Sequence, residues 1–238
     1  MAGIELVDVQ KRYKVDGKTV QVLSGIHMKV PKESITVILG KSGCGKTTLL
    51  RLVGGLEEPD GGEILYGESH RTAFVFQEPR LMPWLNVADN IRFGLKKKEM
   101  DPDEIQSIIH TVGLDGFEKA YPSQLSGGMQ QRTSIARALA YRPSFIMMDE
   151  PFAALDYFTR EQMQKELLRV QRIQGASILF VTHSIDEALL LGNKIIIIEN
   201  GRVKTEFELP KTEKFRNLLD ETFIELKRDI IKNLNNDK

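Results

Sequence analysis

Residues Gly40–Thr47 read Gly-Lys-Ser-Gly-Cys-Gly-Lys-Thr, the pattern G-x-x-x-x-G-K-[S/T]. The octet follows a short apolar run without alternation, Ser34–Leu39, and precedes a helix predicted over Lys46–Val53. An Ile- and Val-rich run of that kind is what a strand buried on both faces looks like. Between strand and helix, the glycines let the backbone curl so that successive N–H groups point inward at phosphate oxygens. The helix start adds about +0.5 of a charge at its amino end. Lys46 brings a mobile cation for the outer phosphates, and Thr47 brings a hydroxyl for Mg²⁺. Correctly spaced glycines, lysine and hydroxyl arise by chance in roughly one chain in a hundred of this size. The strand and helix flanks reduce that further, so a nucleotide site is the first expectation. Cys44 reads as a small side chain that fits the loop, although the helix start and Lys46 both act to lower a thiol pKa there.

The rest of the chain builds a frame around this unit. From Ile4 to Val30 the pattern has period two, with a turn at Asp16-Gly17-Lys18, which predicts antiparallel strands. Pro59-Asp60-Gly61-Gly62 reads as a turn. Between about Pro79 and Tyr141 strand-like runs vanish, and helical spacing appears at Val87–Leu95, Asp101–Val112 and Met129–Tyr141. Strand runs resume at Phe145–Met148, Ser177–Thr182 and Lys194–Glu199, alternating with helices at Thr159–Ile173 and Ser184–Leu191. That alternation predicts a parallel sheet with a helical lobe inserted in it. Asn200-Gly201 marks a hairpin turn. The tail from Lys211 carries Phe215, Leu218, Leu219, Phe223, Leu226, Ile230, Ile231 and Leu234 at roughly i, i+3, i+4 intervals, which predicts one amphipathic helix docked on the core.

Two further segments carry chemistry. The run Phe145–Glu150 reads as a buried strand ending in two acids, Asp149 and Glu150, before the chain turns at Pro151. Both acids then reach the mouth of the sheet, where ligands of open α/β sheets sit. Asp149 suits Mg²⁺, through a water, because that ion keeps part of its hydration shell. Glu150 is placed to take a proton from an attacking water, an effect worth ~10²–10⁴ in rate. Leu125–Gln131 opens a separate helix in which Ser126 is a good N-cap and Gly127 and Gly128 leave bare N–H groups at the positive end. One nucleotide needs two anion cradles only if they meet across an interface.

With these residues in place, nearly the whole chain resembles the ATP-binding cassette (ABC) ATPases. Gly40–Thr47 resembles Walker A, Phe145–Glu150 Walker B, and Leu125–Gln131 (LSGGMQQ) the signature motif, the most specific of the three. Gln77 resembles the Q-loop residue, Ala154-Leu155-Asp156 the D-loop, and His183 the switch histidine. Ala153 stands where the D-loop often has Ser or Gly. Tyr13 resembles the aromatic residue that stacks on adenine; a plain strand tyrosine fits as well.

The resemblance implies an α/β P-loop NTPase (RecA-like) core with an N-terminal antiparallel β subdomain and an inserted helical subdomain. The core would occupy 1–78 and 142–210, the helical lobe 79–141 and a C-terminal helix 211–238. It implies ATP on Gly40, Lys41, Ser42, Gly43, Cys44, Gly45, Lys46, Thr47, Thr48, Tyr13 and Gln77. Mg²⁺ would sit on Thr47, Gln77 and Asp149, and catalysis would fall to Glu150, His183 and Lys46. Ser126, Gly127, Gly128 and Asp156 would act on the ATP of a second copy. The implied partners are a homodimer with ATP between subunits, integral membrane permease subunits and, indirectly, an extracytoplasmic solute-binding protein.

Composition narrows the choice within that family. The 238 residues hold 33 Lys+Arg against 33 Asp+Glu, a zero balance that argues against holding nucleic acid by bulk charge. A single cysteine excludes an internal disulfide framework and fits a reducing compartment. The first residues lack the order of a secretory signal, and no apolar run approaches the ~18 residues of a spanning helix. The chain is therefore expected at the cytoplasmic face of the cell membrane, held there by other subunits. Scattered His27, His70 and His110 read as surface or structural residues, and Lys96-Lys97-Lys98 as a solvated face. The segment Gln77–Val87 looks most like the importer branch serving nitrate, sulfonate and taurine uptake, with Pro83-Trp84 readable as a packed loop anchor. The alternatives are an ABC ATPase for another solute class and a non-transport ABC ATPase acting on nucleic acid or ribosomes. The latter would be expected to show a coiled-coil insertion or a second cassette.

Overall fold

The computed structural model describes residues 2–67, 71–96, 101–210 and 215–235, so His70, Lys97, Lys98 and Lys211 lie outside the described residues. The chain falls into two compact units, Met1–His70 with Ala176–Lys238, and Arg71–Gly175.

In the first unit, β1 (Ala2–Val15) and β2 (Lys18–Pro31) form the expected hairpin, Val15 opposite Lys18. A third strand, β4 (Gly61–Tyr66), pairs antiparallel with the other edge of β1, Leu6 opposite Ile64. Sequence reading gives only a turn there. Neither face of β4 is buried, so its residues carry no apolar alternation, and the preceding Pro59-Asp60 punctuates the chain.

The core of this unit is β3 (Ile35–Leu39), buried at every position between two parallel neighbours, β7 (Ser177–Thr182) and β8 (Lys194–Glu199). Each Ile or Leu withdrawn from water here is worth ~1.5–3 kcal/mol. The turn Asn200-Gly201 then returns the chain as antiparallel β9 (Arg202–Glu208). Helix α1 (Lys46–Val53) packs on β7 and α6 (Ile185–Leu191) on β3, each through its apolar side.

The C-terminal helix, α7 (Glu221–Asn235), is shorter than the tail's spacing predicts. Phe215 and Leu218 precede it because Arg216 is drawn back to the end of α6. There its guanidinium donates to the carbonyls of Leu189 (2.7 Å), Gly192 (2.6 Å) and Pro210 (2.8 Å). Asn217 and Asp220 then close a turn, 2.8 Å apart, before the helix starts. Ile230 is the buried residue of α7, and Lys227 pairs with Asp186 of α6 at 2.5 Å.

In the second unit, β5 (Thr72–Val75) and β6 (Phe145–Asp149) run parallel, Val75 opposite Met148. Between them the described elements are helices α2 (Val87–Arg92), α3 (Pro102–Thr111) and α4 (Gly127–Ala140), with a 3-10 turn at Pro122–Gln124. Helix α5 (Tyr157–Gln174) follows β6. The helix starts are set by polar caps: Asn86 accepts from the Asp89 N–H at 2.8 Å, Asp101 from Asp103 at 3.0 Å, and Asp156 from Thr159 at 3.1 Å. Helix α2 stops at Arg92, short of the predicted Leu95, because Phe93 is extended and Gly94 turns with φ +93°.

Candidate nucleotide-binding site

The glycine loop sits where its flanks predict, between β3 and α1. Gly45 is the N-cap of α1 with φ +102°, and a side chain there would meet Leu23 Cδ2 at 2.7 Å. A Cβ on Gly40 would lie 2.4 Å from the carbonyl oxygen of Ile198. The loop is thus small-residue by necessity at both ends. Helix α1 begins with no acidic residue in its first turn and no side-chain cap, so the positive end of its dipole is not offset by a carboxylate of its own first turn. Lys46 is only 7 % exposed, and its ammonium donates to the carbonyls of Gly40 (2.8 Å) and Lys41 (2.9 Å), so the cation is stored inside the curl. Burial pushes the Cys44 thiol up, against the pull of the Lys46 ammonium 4.0 Å from Sγ. The activating reading of Cys44 is therefore outweighed by its burial.

Register brings a second residue to the loop. Leu39 of β3 lies opposite Thr182 of β7, so Gly40 and His183 are the first residues past the same rung of adjacent parallel strands. His183 is exposed there. Its turn is fixed from behind: the Thr182 hydroxyl donates to buried Glu187 at 2.6 Å and accepts from the Ser184 N–H at 3.0 Å. A cavity of about 830 Å³ opens beside the loop, lined by Lys41–Cys44, Val20–Val22, Ile198–Gly201 and Leu234. Tyr13 is half-buried on β1 opposite Val20, and directly opposed residues share a face of the sheet. The cavity wall is formed by Val20–Val22 rather than by Tyr13 itself. The Tyr13 hydroxyl donates to the Glu57 carboxylate, with Thr48 of α1 also in hydrogen-bonding reach. Burial and Glu57 both hold that phenol in its neutral form.

The second unit gathers the remaining predicted residues along two edges. Asp149 is the last residue of β6 and 5 % exposed; Glu150 follows with φ +45°. A non-glycine residue in that region costs ~1–2 kcal/mol and is held there by its surroundings. Gln77 and Glu150 stand two residues past the same Val75–Met148 rung, on strands ~4.8 Å apart. At the other edge, Ser126 caps α4, accepting from the Met129 N–H at 3.3 Å. Nothing lies within 4 Å of a Cβ built on Gly127, whereas one on Gly128 would meet Leu155 at 3.3 Å and the Ala154 carbonyl at 3.5 Å. The D-loop is therefore packed beside the signature glycines. Hydrogen bonds from Thr159 hold the Asp156 carboxyl below the usual range.

Several polar residues that hold these segments escape sequence reading. Gln131, 1 % exposed, donates to the Phe76 carbonyl at 3.2 Å. Arg137 donates to Pro79 and Arg80, both at 3.0 Å. Buried Asn90 accepts from the Met82 N–H at 2.8 Å and donates to Leu85 at 2.9 Å. Only a polar residue on the inner face of a predicted helix signals such a role. Trp84, readable as a packed anchor, is instead 69 % exposed; Asn90 does the anchoring. His27 and His110 lie at the surface beside Asp8 (3.8 Å) and Asp115 (3.0 Å), and Lys96 is exposed.

Among the described residues, no group of three or more His, Cys, Asp and Glu side chains could hold a metal. Thr47, Gln77 and Asp149 offer oxygen donors of the kind Mg²⁺ takes when phosphates and waters complete its shell.

Comparison with known proteins assigns the chain to a family. Residues 23–153 match the ABC transporter family. The chain is 40% identical to an aliphatic sulfonates import ATP-binding protein of Bacillus cereus, over 96% of this chain and 94% of the relative. It is 41% identical to a taurine import ATP-binding protein of Pelagibacter ubique, over 82% and 78%. A dimeric structure of a post-hydrolysis ATP-binding cassette bound to ADP and Pi superposes with a TM-score of 0.80 at 29% identity, covering 88% of this chain and 100% of that one. The chain belongs to the ABC transporter family, as a cassette that binds and hydrolyses ATP.

Proposed function

We propose that the chain powers an importer for a small organic sulfonate, such as an alkanesulfonate or taurine, or a chemically related anion. In this reading it works as a homodimer that clasps ATP between two copies. The observation that carries the proposal is a pair of helix starts. Among the described helices only α1 and α4 begin with neither an acidic N-cap nor an acid in the first turn. Both therefore keep the positive end of the helix dipole uncompensated by an acid, and the triphosphate of ATP supplies charge for two such cradles. The Gly40–Thr47 loop of one copy holds it with Lys46, and Ser126–Gly128 of the other closes over it with Asp156 beside them. Tyr13 would stack on the adenine.

Hydrolysis then follows from the strand-end residues. Glu150 takes a proton from water as the water oxygen bonds to the γ-phosphorus and the bond to the bridging oxygen of ADP breaks. His183 contacts the γ-phosphate, and Lys46 offsets its charge. Thr47, Gln77 and Asp149 would hold Mg²⁺ together with the phosphates, and the bound ion would supply charge neutralisation. Loss of the γ-phosphate removes the adhesive and lets the copies part. That cycle would drive permease subunits from the cytoplasmic face of the membrane, with a solute-binding protein delivering cargo outside. No helix among the described residues is long and apolar enough to cross a membrane, which fits a peripheral position. The sulfonate assignment rests on the relatives named above.

Glu150→Gln tests the chemistry. The expected result is retained ATP binding, an ATP-stabilised dimer by sedimentation, and turnover lower by ~10²–10⁴. Unchanged turnover removes Glu150 from its role. Uptake of labelled taurine or alkanesulfonate, lost on deletion and restored by the intact gene, tests the solute class.

A further inference from the structure

Gln77 lies between backbone groups that are tied to one helix. The carbonyl before it, of Phe76, accepts from Gln131 at 3.2 Å. The carbonyls after it, of Pro79 and Arg80, accept from the two arms of Arg137 at 3.0 Å each. Both donors stand on α4, whose first residues are Gly127 and Gly128. The segment is braced from its other side as well: Arg80 has φ +45°, and its guanidinium stacks 4.0 Å over the Phe76 ring. Asn90 of α2 fixes Met82 and Leu85, so the backbone from Phe76 to Leu85 is strapped at five residues while Trp84 projects from it. Gln77 itself is exposed.

A segment held this way cannot shift without α4. An exposed side chain on a short loop would ordinarily sample many positions, and each strap removes some of that freedom. Two of the straps come from the helix that bears the signature glycines, so closure of that helix start on a triphosphate also sets where Gln77 points.

We propose that Gln131 and Arg137 are positioning residues that hold Gln77 in register with the Ser126–Gly128 helix start. This rests on the ATPase reading above, in which Gln77 serves the reaction and Ser126–Gly128 the partner's ATP. In that reading neither residue is assigned a contact to the nucleotide or the reacting atoms; their partners are the carbonyls of Phe76, Pro79 and Arg80. Their loss should therefore lower kcat and leave the KM for ATP alone.

Trp84 is the single tryptophan and sits in the strapped segment, so its fluorescence anisotropy reports the segment directly. In purified protein, Arg137→Met is expected to lower kcat at least tenfold with KM for MgATP within twofold. The fast component of Trp84 anisotropy decay should at least double. Arg137→Lys, which keeps a cation but only one donor nitrogen in place of the two-armed fork, should recover part of both. Gln131→Met, close in volume, should act in the same direction and serves if Arg137→Met does not fold. Unchanged kcat and anisotropy in both Met variants would overturn the proposal, as would a KM that rises in step with the loss of kcat. If the unaltered protein fails to hydrolyse ATP, the ATPase reading itself falls; if only the variants behave like the unaltered protein, this inference alone falls.

Discussion

Cys44 shows how a residue's surroundings decide its chemistry. It lies in a loop whose helix start and lysine favour a thiolate, yet desolvation is the larger influence and raises the pKa above that of an exposed thiol. The thiolate is the reactive form, so its fraction is small at neutral pH and grows as pH rises. Alkylation by iodoacetamide should accelerate through pH 9 without levelling, MgATP should slow it, and the alkylated protein should lose ATP binding. A rate that plateaus near the ~8.5 of an exposed thiol would contradict this account. At this scale the candidate residues of the proposed site are legible in the sequence. Lys46, Thr47, Glu150 and His183 are named by a motif or by the end of a buried run. The struts Gln131, Arg137 and Asn90 are not, because their partners are backbone carbonyls distant in sequence.

Elements were legible where one physical signal dominated. The apolar run of β3 and the glycine loop delimit each other, and α1 falls on its predicted residues. β4 escaped because a strand with no buried face carries no pattern. Apolar spacing carries the predicted tail helix back through Phe215 and Leu218, whereas the chain spends Arg216 on the carboxyl end of α6 and the helix starts at Glu221. That arginine satisfies three carbonyls at once. Arg216→Met should cost about 1–3 kcal/mol through carbonyls left unpaired. The loss should appear as a fall in Tm of about 3–10 °C in thermal unfolding. A Tm within a degree of the unaltered protein would show that α6 needs no such closure.

For the whole molecule, the claim on which the rest depends is that each ATP is shared by two copies. Fold class follows from the alternation of strands and helices, whereas the proposed assembly rests on there being a second anion cradle, at Ser126–Gly128, besides the Gly40–Thr47 loop. The most direct measurement mixes two inactive variants, Lys46→Ala and Ser126→Arg, and follows ATP hydrolysis. A mixed dimer then contains one site with an intact loop from one copy and an intact helix start from the other. The account predicts turnover well above the sum of the two variants measured apart. Turnover equal to that sum, with both variants folded and mixed dimers formed, would contradict it.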